Sequence, residues 1–114
     1  MTTKTLHEYY FDSSVAAGAT DLQLSPIIPL NKAVRVISFG GFDPNIGDNK
    51  DGIIALQWGS GANWKTLRAG GGGTFEFTMN KDFVGDGASR FRLARQNKSA
   101  SAKPLVVWLY ALVL

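Results

Sequence analysis

The sequence predicts an all-β protein, an antiparallel β-sandwich of the jelly-roll type with about eight short strands. Several segments alternate apolar and polar residues with the period of two that is typical of strands, and glycine-rich turns separate these segments. No window of eleven or more residues repeats apolar positions at helical spacing. An immunoglobulin-like arrangement of the same strands is the second choice.

Three segments carry the strand pattern most plainly. Residues 74–80 place Phe75 and Phe77 on one face and polar side chains on the other, as in a half-buried strand. Residues 32–39 are β-branched and apolar on both faces, which is typical of a central strand. Residues 90–96 show a weaker alternation. The other predicted strands are residues 5–11, 21–24, 53–58, 64–67 and 105–113.

The length and composition favour one globular domain that spans residues 1–114. A chain of this size can bury roughly two thirds of the surface that it exposes when unfolded, so it can fold without covalent staples. With no cysteine in the sequence, disulfides and cysteine-based metal sites are excluded. We expect no cofactor.

No targeting or membrane segment is expected. Residues 1–12 contain no apolar run of signal-peptide length. The longest apolar stretch, residues 105–114, is ten residues long, whereas a helix needs about twenty to cross the hydrocarbon. We therefore expect synthesis in a cytoplasm and no membrane partner.

The residues that catalysis commonly uses are few. His7 is the single histidine, so a centre with several histidines is excluded, and a Ser-His-Asp triad would need this residue. The run Gly70–Gly73 precedes a predicted strand and lacks the Lys-Ser/Thr of a phosphate-binding loop. We expect no enzymatic activity.

One loop has the composition of a calcium site. Asp43, Asn45, Asp48 and Asp51 place oxygen-bearing side chains within nine positions, and calcium prefers such ligands. The loop departs from the EF-hand pattern because its glycine comes one place early and no glutamate closes it. The same residues are typical of any long turn, so we favour a turn without bound metal.

Positive charge is concentrated in the second half of the chain. Residues 1–57 hold four Lys and Arg against six Asp and Glu, and residues 58–114 hold eight against three. Arg90, Arg92 and Arg95 fall within six positions and can attract an acidic surface. The simpler interpretation is that Arg90 and Arg92 form the solvent face of a strand whose inward residues are Phe91 and Leu93. Nucleic acid is not the expected partner, because no basic motif is interleaved with aromatic residues.

Two tryptophans suggest an alternative function. Trp58 and Trp64 flank one predicted turn, and two exposed rings at a sandwich edge can form a stacking platform for sugars. The protein would then be a small carbohydrate-binding, lectin-like module. Core packing and interface contacts are the commoner roles of such residues.

The last predicted strand is apolar on both faces, which favours assembly. A two-layer sandwich covers only one face of each sheet, so the second face needs a protein partner. We expect that partner to be identical subunits, in a dimer or trimer, or the lattice of a larger particle. The candidate interface residues are Trp108, Tyr110, Leu112 and Leu114, together with Arg90, Arg92 and Arg95.

The chain as a whole resembles a group of small viral proteins. It is short, free of cysteine and rich in glycine, with T-F-E-F-T-M-N-K-D-F at 74–83, S-R-F-R-L-A-R at 89–95 and an apolar last strand. In these features it is similar to the small jelly-roll proteins of tailed bacteriophage virions, which include capsid decoration (cement) proteins and head or tail fibre modules. The resemblance implies a non-enzymatic virion component that sits on the major capsid protein. It carries over no functional residue, and the sequence lacks a fibre repeat and a long flexible arm.

Overall fold

The computed structural model describes residues 5–42, 52–71 and 75–114. Within these ranges the chain forms strands joined by turns, and none of it forms a helix that could cross a membrane. The strands are β1 (Thr5–Phe11), β2 (Ser14–Val15), β3 (Thr20–Leu24), β4 (Ala33–Phe42), β5 (Gly52–Ser60), β6 (Asn63–Gly71), β7 (Phe75–Val84), β8 (Arg90–Asn97), β9 (Lys103–Pro104) and β10 (Val106–Val113).

Eight of the described strands form two antiparallel sheets of four strands each. The first sheet has the order β1-β10-β4-β7, and the second has the order β3-β8-β5-β6. The chain crosses between the sheets after each of these strands except β5, which forms a hairpin with β6. The first and last strands lie side by side. This is jelly-roll connectivity, so the predicted fold class is confirmed.

The predicted strands are all present, and most are longer than predicted. The segment predicted over residues 64–67 forms the nine-residue β6, and the segment predicted over residues 74–80 extends to Val84 in β7. Strands β2 and β9 were not predicted. They are two residues each and pair with one another, and such short segments carry no periodic signal.

The core lies between the sheets and is built by the alternation along their strands. On β8, Phe91 and Leu93 are buried and their neighbours are partly exposed. On β10, Val107, Leu109 and Ala111 point to the same core. The core cluster comprises Val34, Val36, Phe39, Ile54, Leu56, Phe83, Phe91, Leu93, Val107, Leu109 and Ala111.

Residues 25–31, which we call the strap, cross from the second sheet to the first. The Ile28 amide donates to the Ser89 carbonyl and the Asn31 amide to the Gly85 carbonyl, each at 3.0 Å. Prolines 26 and 29 lack an amide donor, which is consistent with an extended segment outside the strand ladders. The strap is therefore held by backbone hydrogen bonds to the segment between β7 and β8.

Gly85 fits closely under the strap. A Cβ atom at this position would meet the carbonyl oxygens of Pro29 and Ile28. Both obstacles are backbone atoms, which cannot rotate away as a side chain can. The absence of a side chain at Gly85 allows the two backbones to approach.

Candidate interaction surfaces

An aromatic patch lies on the outer face of the first sheet. We call this patch, formed by Tyr10 of β1 with Trp108, Tyr110 and Leu112 of β10, the aromatic face. Tyr10 pairs with Trp108 in the strand register and is 51% exposed, whereas the three β10 residues are half-buried. Leu114, just beyond the strand, is also half-buried. As the sequence predicted, the alternate residues of β10 enter the core.

Small residues flank the aromatic face on its other side. Trp108 pairs with Gly40 of β4, and Tyr110 pairs with Ser38. Neither residue is large enough to rise beside an indole or phenol ring. Both small residues are themselves buried, Ser38 at 6% exposure, so neighbouring groups cover this part of β4.

Charged residues surround this patch. Glu8 of β1 pairs with Tyr110 and Arg35 of β4 pairs with Leu112, and the Arg35 Nε lies 2.7 Å from the Asp82 Oδ1 of β7. The hydrogen bond between these two side chains raises the pKa of Arg35 and lowers the pKa of Asp82. Both are well exposed, so water screens their attraction. The result is an apolar centre with a polar rim.

The outer face of the second sheet carries a connected row of polar side chains. The Arg92 Nε donates to the Gln57 Oε1 at 2.6 Å, and the Gln57 Nε2 donates to the Thr66 Oγ1 at 3.1 Å. The Arg92 guanidinium also lies 4.2 Å from the centre of the Trp64 ring. Arg92 is thus already engaged by its own sheet, as a cation–π partner and as a donor.

Arg95 does not belong to a basic surface, contrary to its place in the predicted interface. It is 1% exposed and lies on the core side of β8. Its guanidinium contacts the Asp21 carboxylate at 2.7 Å and donates to the Ser13 and Leu105 carbonyls at 2.8 and 2.7 Å. Arg95 therefore joins three separate parts of the chain inside the protein.

The rest of the predicted interface divides between opposite faces. Arg90 and Arg92 lie on the outer face of the second sheet, while Trp108 and Tyr110 lie on the outer face of the first. These residues cannot form one continuous contact surface. The aromatic face and the arginines of β8 are therefore two separate surfaces.

The two tryptophans of the predicted glycan platform also point in different directions. Trp58 packs between the sheets, with ring centres 4.7 Å from Phe91 and 5.2 Å from Phe83. Trp64 lies on the outer face, under Arg92, and its Nε1 donates to the Gly61 carbonyl at 2.8 Å. The prediction that these two rings lie side by side is wrong, because successive residue pairs of the β5–β6 hairpin face opposite sides of the sheet.

Other candidate residues lie wholly or partly outside the described part of the chain. The calcium candidates Asp43, Asn45, Asp48 and Asp51 are outside it. His7 belongs to β1, as predicted, and only its backbone is described. Gly70 and Gly71 end β6, which places the start of the glycine run in a strand.

An aspartate organises the turn that supports the strap. Asp86 accepts hydrogen bonds from the Ser89 amide at 2.6 Å, the Ser89 hydroxyl at 2.7 Å and the Ala88 amide at 2.9 Å. These bonds favour the charged carboxylate and lower the pKa of Asp86 to about 2, with the Ser89 amide as the largest cause. The Ser89 carbonyl in turn accepts from the strap.

The depressed pKa of Asp86 predicts a specific acid sensitivity. Because the folded-state value of about 2 lies below the ordinary 3.8, Asp86 stabilises the fold above about pH 4. This contribution falls as the pH drops towards 2. We expect Asp86→Asn to lower the melting temperature at pH 7 and the difference from wild type to shrink between pH 4 and 2. A difference that stays constant down to pH 2, measured by circular dichroism, would contradict this assignment.

Comparisons with known proteins identify no family. No family model matches the chain, and no curated protein matches it. Among solved structures, the crystal structure of PirA is similar at 18% sequence identity, covering 96% of each chain with a TM-score of 0.30. That likeness is too distant to indicate a function.

Proposed function

We propose that this chain is a non-enzymatic structural protein that assembles through its aromatic face. The observation that carries the proposal is the composition of that surface. Tyr10, Trp108, Tyr110 and Leu112 form its centre, and Glu8 lies at its margin. Protein interfaces have this anatomy, with buried aromatic residues at the centre and polar residues around them.

The assembly has two levels in this proposal. The first is a dimer or trimer in which each subunit buries its aromatic face against an identical neighbour, because most homo-oligomers have closed symmetry. The second is attachment to the major capsid protein, as in the decoration (cement) proteins that the chain resembles. On the opposite face, Arg90 can meet an acidic surface of that lattice, whereas Arg92 is held by Gln57 and Trp64 of its own sheet.

A charge placed in the aromatic face should separate the subunits. Tyr10→Lys is the variant of choice because Tyr10 is 51% exposed, so its replacement disturbs the fold little. We expect the wild-type protein to elute as a dimer or trimer at micromolar concentration and Tyr10→Lys to shift towards the 12.3 kDa monomer. Size exclusion with light scattering measures both.

Thr66→Lys is the matched control for this experiment. Thr66 is exposed on the outer face of the second sheet, and the same charge placed there should leave the oligomer intact. A wild-type protein that remains a monomer at micromolar concentration would overturn the first level of the proposal.

For the second level, quantitative mass spectrometry of gradient-purified virions should find the chain at a fixed ratio to the major capsid protein, and its absence would refute capsid decoration.

The lectin-like alternative is less well supported by the geometry. It would depend on Trp64 alone, since Trp58 packs against Phe83 and Phe91. One face of the Trp64 ring is already covered by Arg92 at 4.2 Å. A sugar would have to use the other face or displace the guanidinium, so assembly remains the preferred function.

A further inference from the structure

A cavity of about 320 Å³ lies between the ends of the two sheets and beneath the strap. Tyr9, Ala111 and Val113 line it from the first sheet, and Phe91 lines it from the second. The strap covers one side of the cavity, and the cavity remains partly open to solvent. The remaining lining residues are Ser25, Pro26, Ile27, Ile28, Pro29, Lys32 and Val34.

Ala111 is one reason why this space is not filled. On the core side of β10 its neighbours are leucine and valine, whereas Ala111 is itself 1% exposed and has only a methyl group. The strap cannot readily collapse into the space, because Ile28 and Asn31 are fixed by backbone hydrogen bonds. The cavity is therefore held open before any ligand arrives, which lowers the cost of binding.

The lining is almost entirely apolar, with a cation at its rim. The Ser25 hydroxyl already donates to the Pro26 carbonyl and accepts from the Phe91 amide, so it has little capacity left for a ligand. Lys32 lines the cavity and is itself exposed, and its long side chain can carry the ammonium group to the opening. Ile27, 46% exposed, adds an apolar edge to the cavity.

We propose that this cavity binds a small amphipathic carboxylate, with its apolar chain between the sheets and its carboxylate at Lys32. The volume sets the size of the ligand. At about 320 Å³ the cavity is at the small end of the range for small-molecule sites, which suits a chain of about eight to ten carbons. An apolar pocket with one polar group at its margin is the usual form of a small-molecule site. This inference is independent of assembly through the aromatic face.

Decanoate is the probe. Decanol, which has the same chain without the charge, is the control ligand. By isothermal titration we expect decanoate to bind wild type with a dissociation constant below about 1 mM. Lys32→Gln should weaken decanoate about tenfold and leave decanol unchanged. Lys98→Gln, an exposed lysine distant in sequence from the strap, is the control and should alter neither.

Nuclear magnetic resonance locates the ligand without any variant. Ala111 and Val113 line the cavity, whereas Leu112 between them belongs to the aromatic face. Binding in the cavity should shift the methyl signals of Ala111 and Val113, and adsorption to the aromatic face would shift Leu112 instead.

Ala111→Phe should abolish binding of both probes by filling the space.

Several results would overturn the proposal. These are no decanoate binding below about 1 mM, shifts confined to Leu112, or equal weakening of decanol by Lys32→Gln. If Ala111→Phe does not fold, Ile28→Trp fills the same cavity from the strap and replaces it in the test. Retained binding in a folded, filled variant would also refute the site.

Discussion

Replacing Arg95 with methionine should lower the free energy of unfolding by about 3 to 5 kcal/mol, as expected when one partner of a buried ion pair is removed. The Arg95 side chain is 1% exposed, and the Asp21 carboxylate that it contacts is 28% exposed. The substitution also removes the donors to the carbonyls of Ser13 and Leu105. These carbonyls lose a partner that methionine cannot replace.

Arg90→Met is the matched control for this prediction. It makes the same substitution on the same strand, but on the outer face, and surface changes of this kind usually alter stability by less than about 0.5 kcal/mol. Arg95→Lys should fall between the two, because lysine keeps the charge and cannot reach all of the acceptors at once. Urea denaturation gives the free energy of unfolding of each variant. Equal midpoints for Arg95→Met and wild type would show that the buried guanidinium does not hold these segments together.

Replacing Phe91 with alanine should lower the free energy of unfolding by about 3 to 5 kcal/mol. Phe91 is 2% exposed and meets Trp58 at 4.7 Å and Phe83 at 5.2 Å. Trp58 and Phe91 belong to the second sheet and Phe83 belongs to the first, so these rings connect the layers. The loss combines the removed apolar area, the ring contacts and the void that remains.

Phe77→Ala provides the comparison for Phe91→Ala. Phe77 is half-buried on β7, at the edge of the first sheet, where neighbouring side chains and water can adjust to the lost ring. We expect its effect on the urea midpoint to be clearly smaller. If the two alanine variants were equally stable, the cluster of Trp58, Phe83 and Phe91 would not be a main connection between the sheets.

Local patterns are sufficient to predict the strands, and the alternation on β8 also indicates that Arg95 is buried. The period of two that places Phe91 and Leu93 inside also puts Arg95 inside, one step further along the strand. The charge of Arg95 favoured the surface instead. Its burial depends on Asp21, 74 positions away in the sequence, and no local pattern reveals that partner.

The orientation of Trp58 and Trp64 depended on where the hairpin turns. The glycine-rich segment between the two tryptophans allows several turn positions, and a shift of one residue reverses the faces. In the structure Ser60 pairs with Asn63, so Trp58 pairs with Lys65 and Trp64 with Gly59. The cavity was beyond prediction for a related reason, because it depends on how two sheets and the strap meet.

The pairing of β1 with β10 determines when the first sheet can be completed. Thr5 pairs with Val113 and Phe11 with Val107, so this ladder joins segments about one hundred residues apart in the sequence. During synthesis, β1 leaves the ribosome long before the strand that it pairs with. Folds dominated by such distant pairings fold on the millisecond to second timescale. Until β10 arrives, both edges of β1 are open to other chains, and a chaperone or rapid completion of synthesis would protect it.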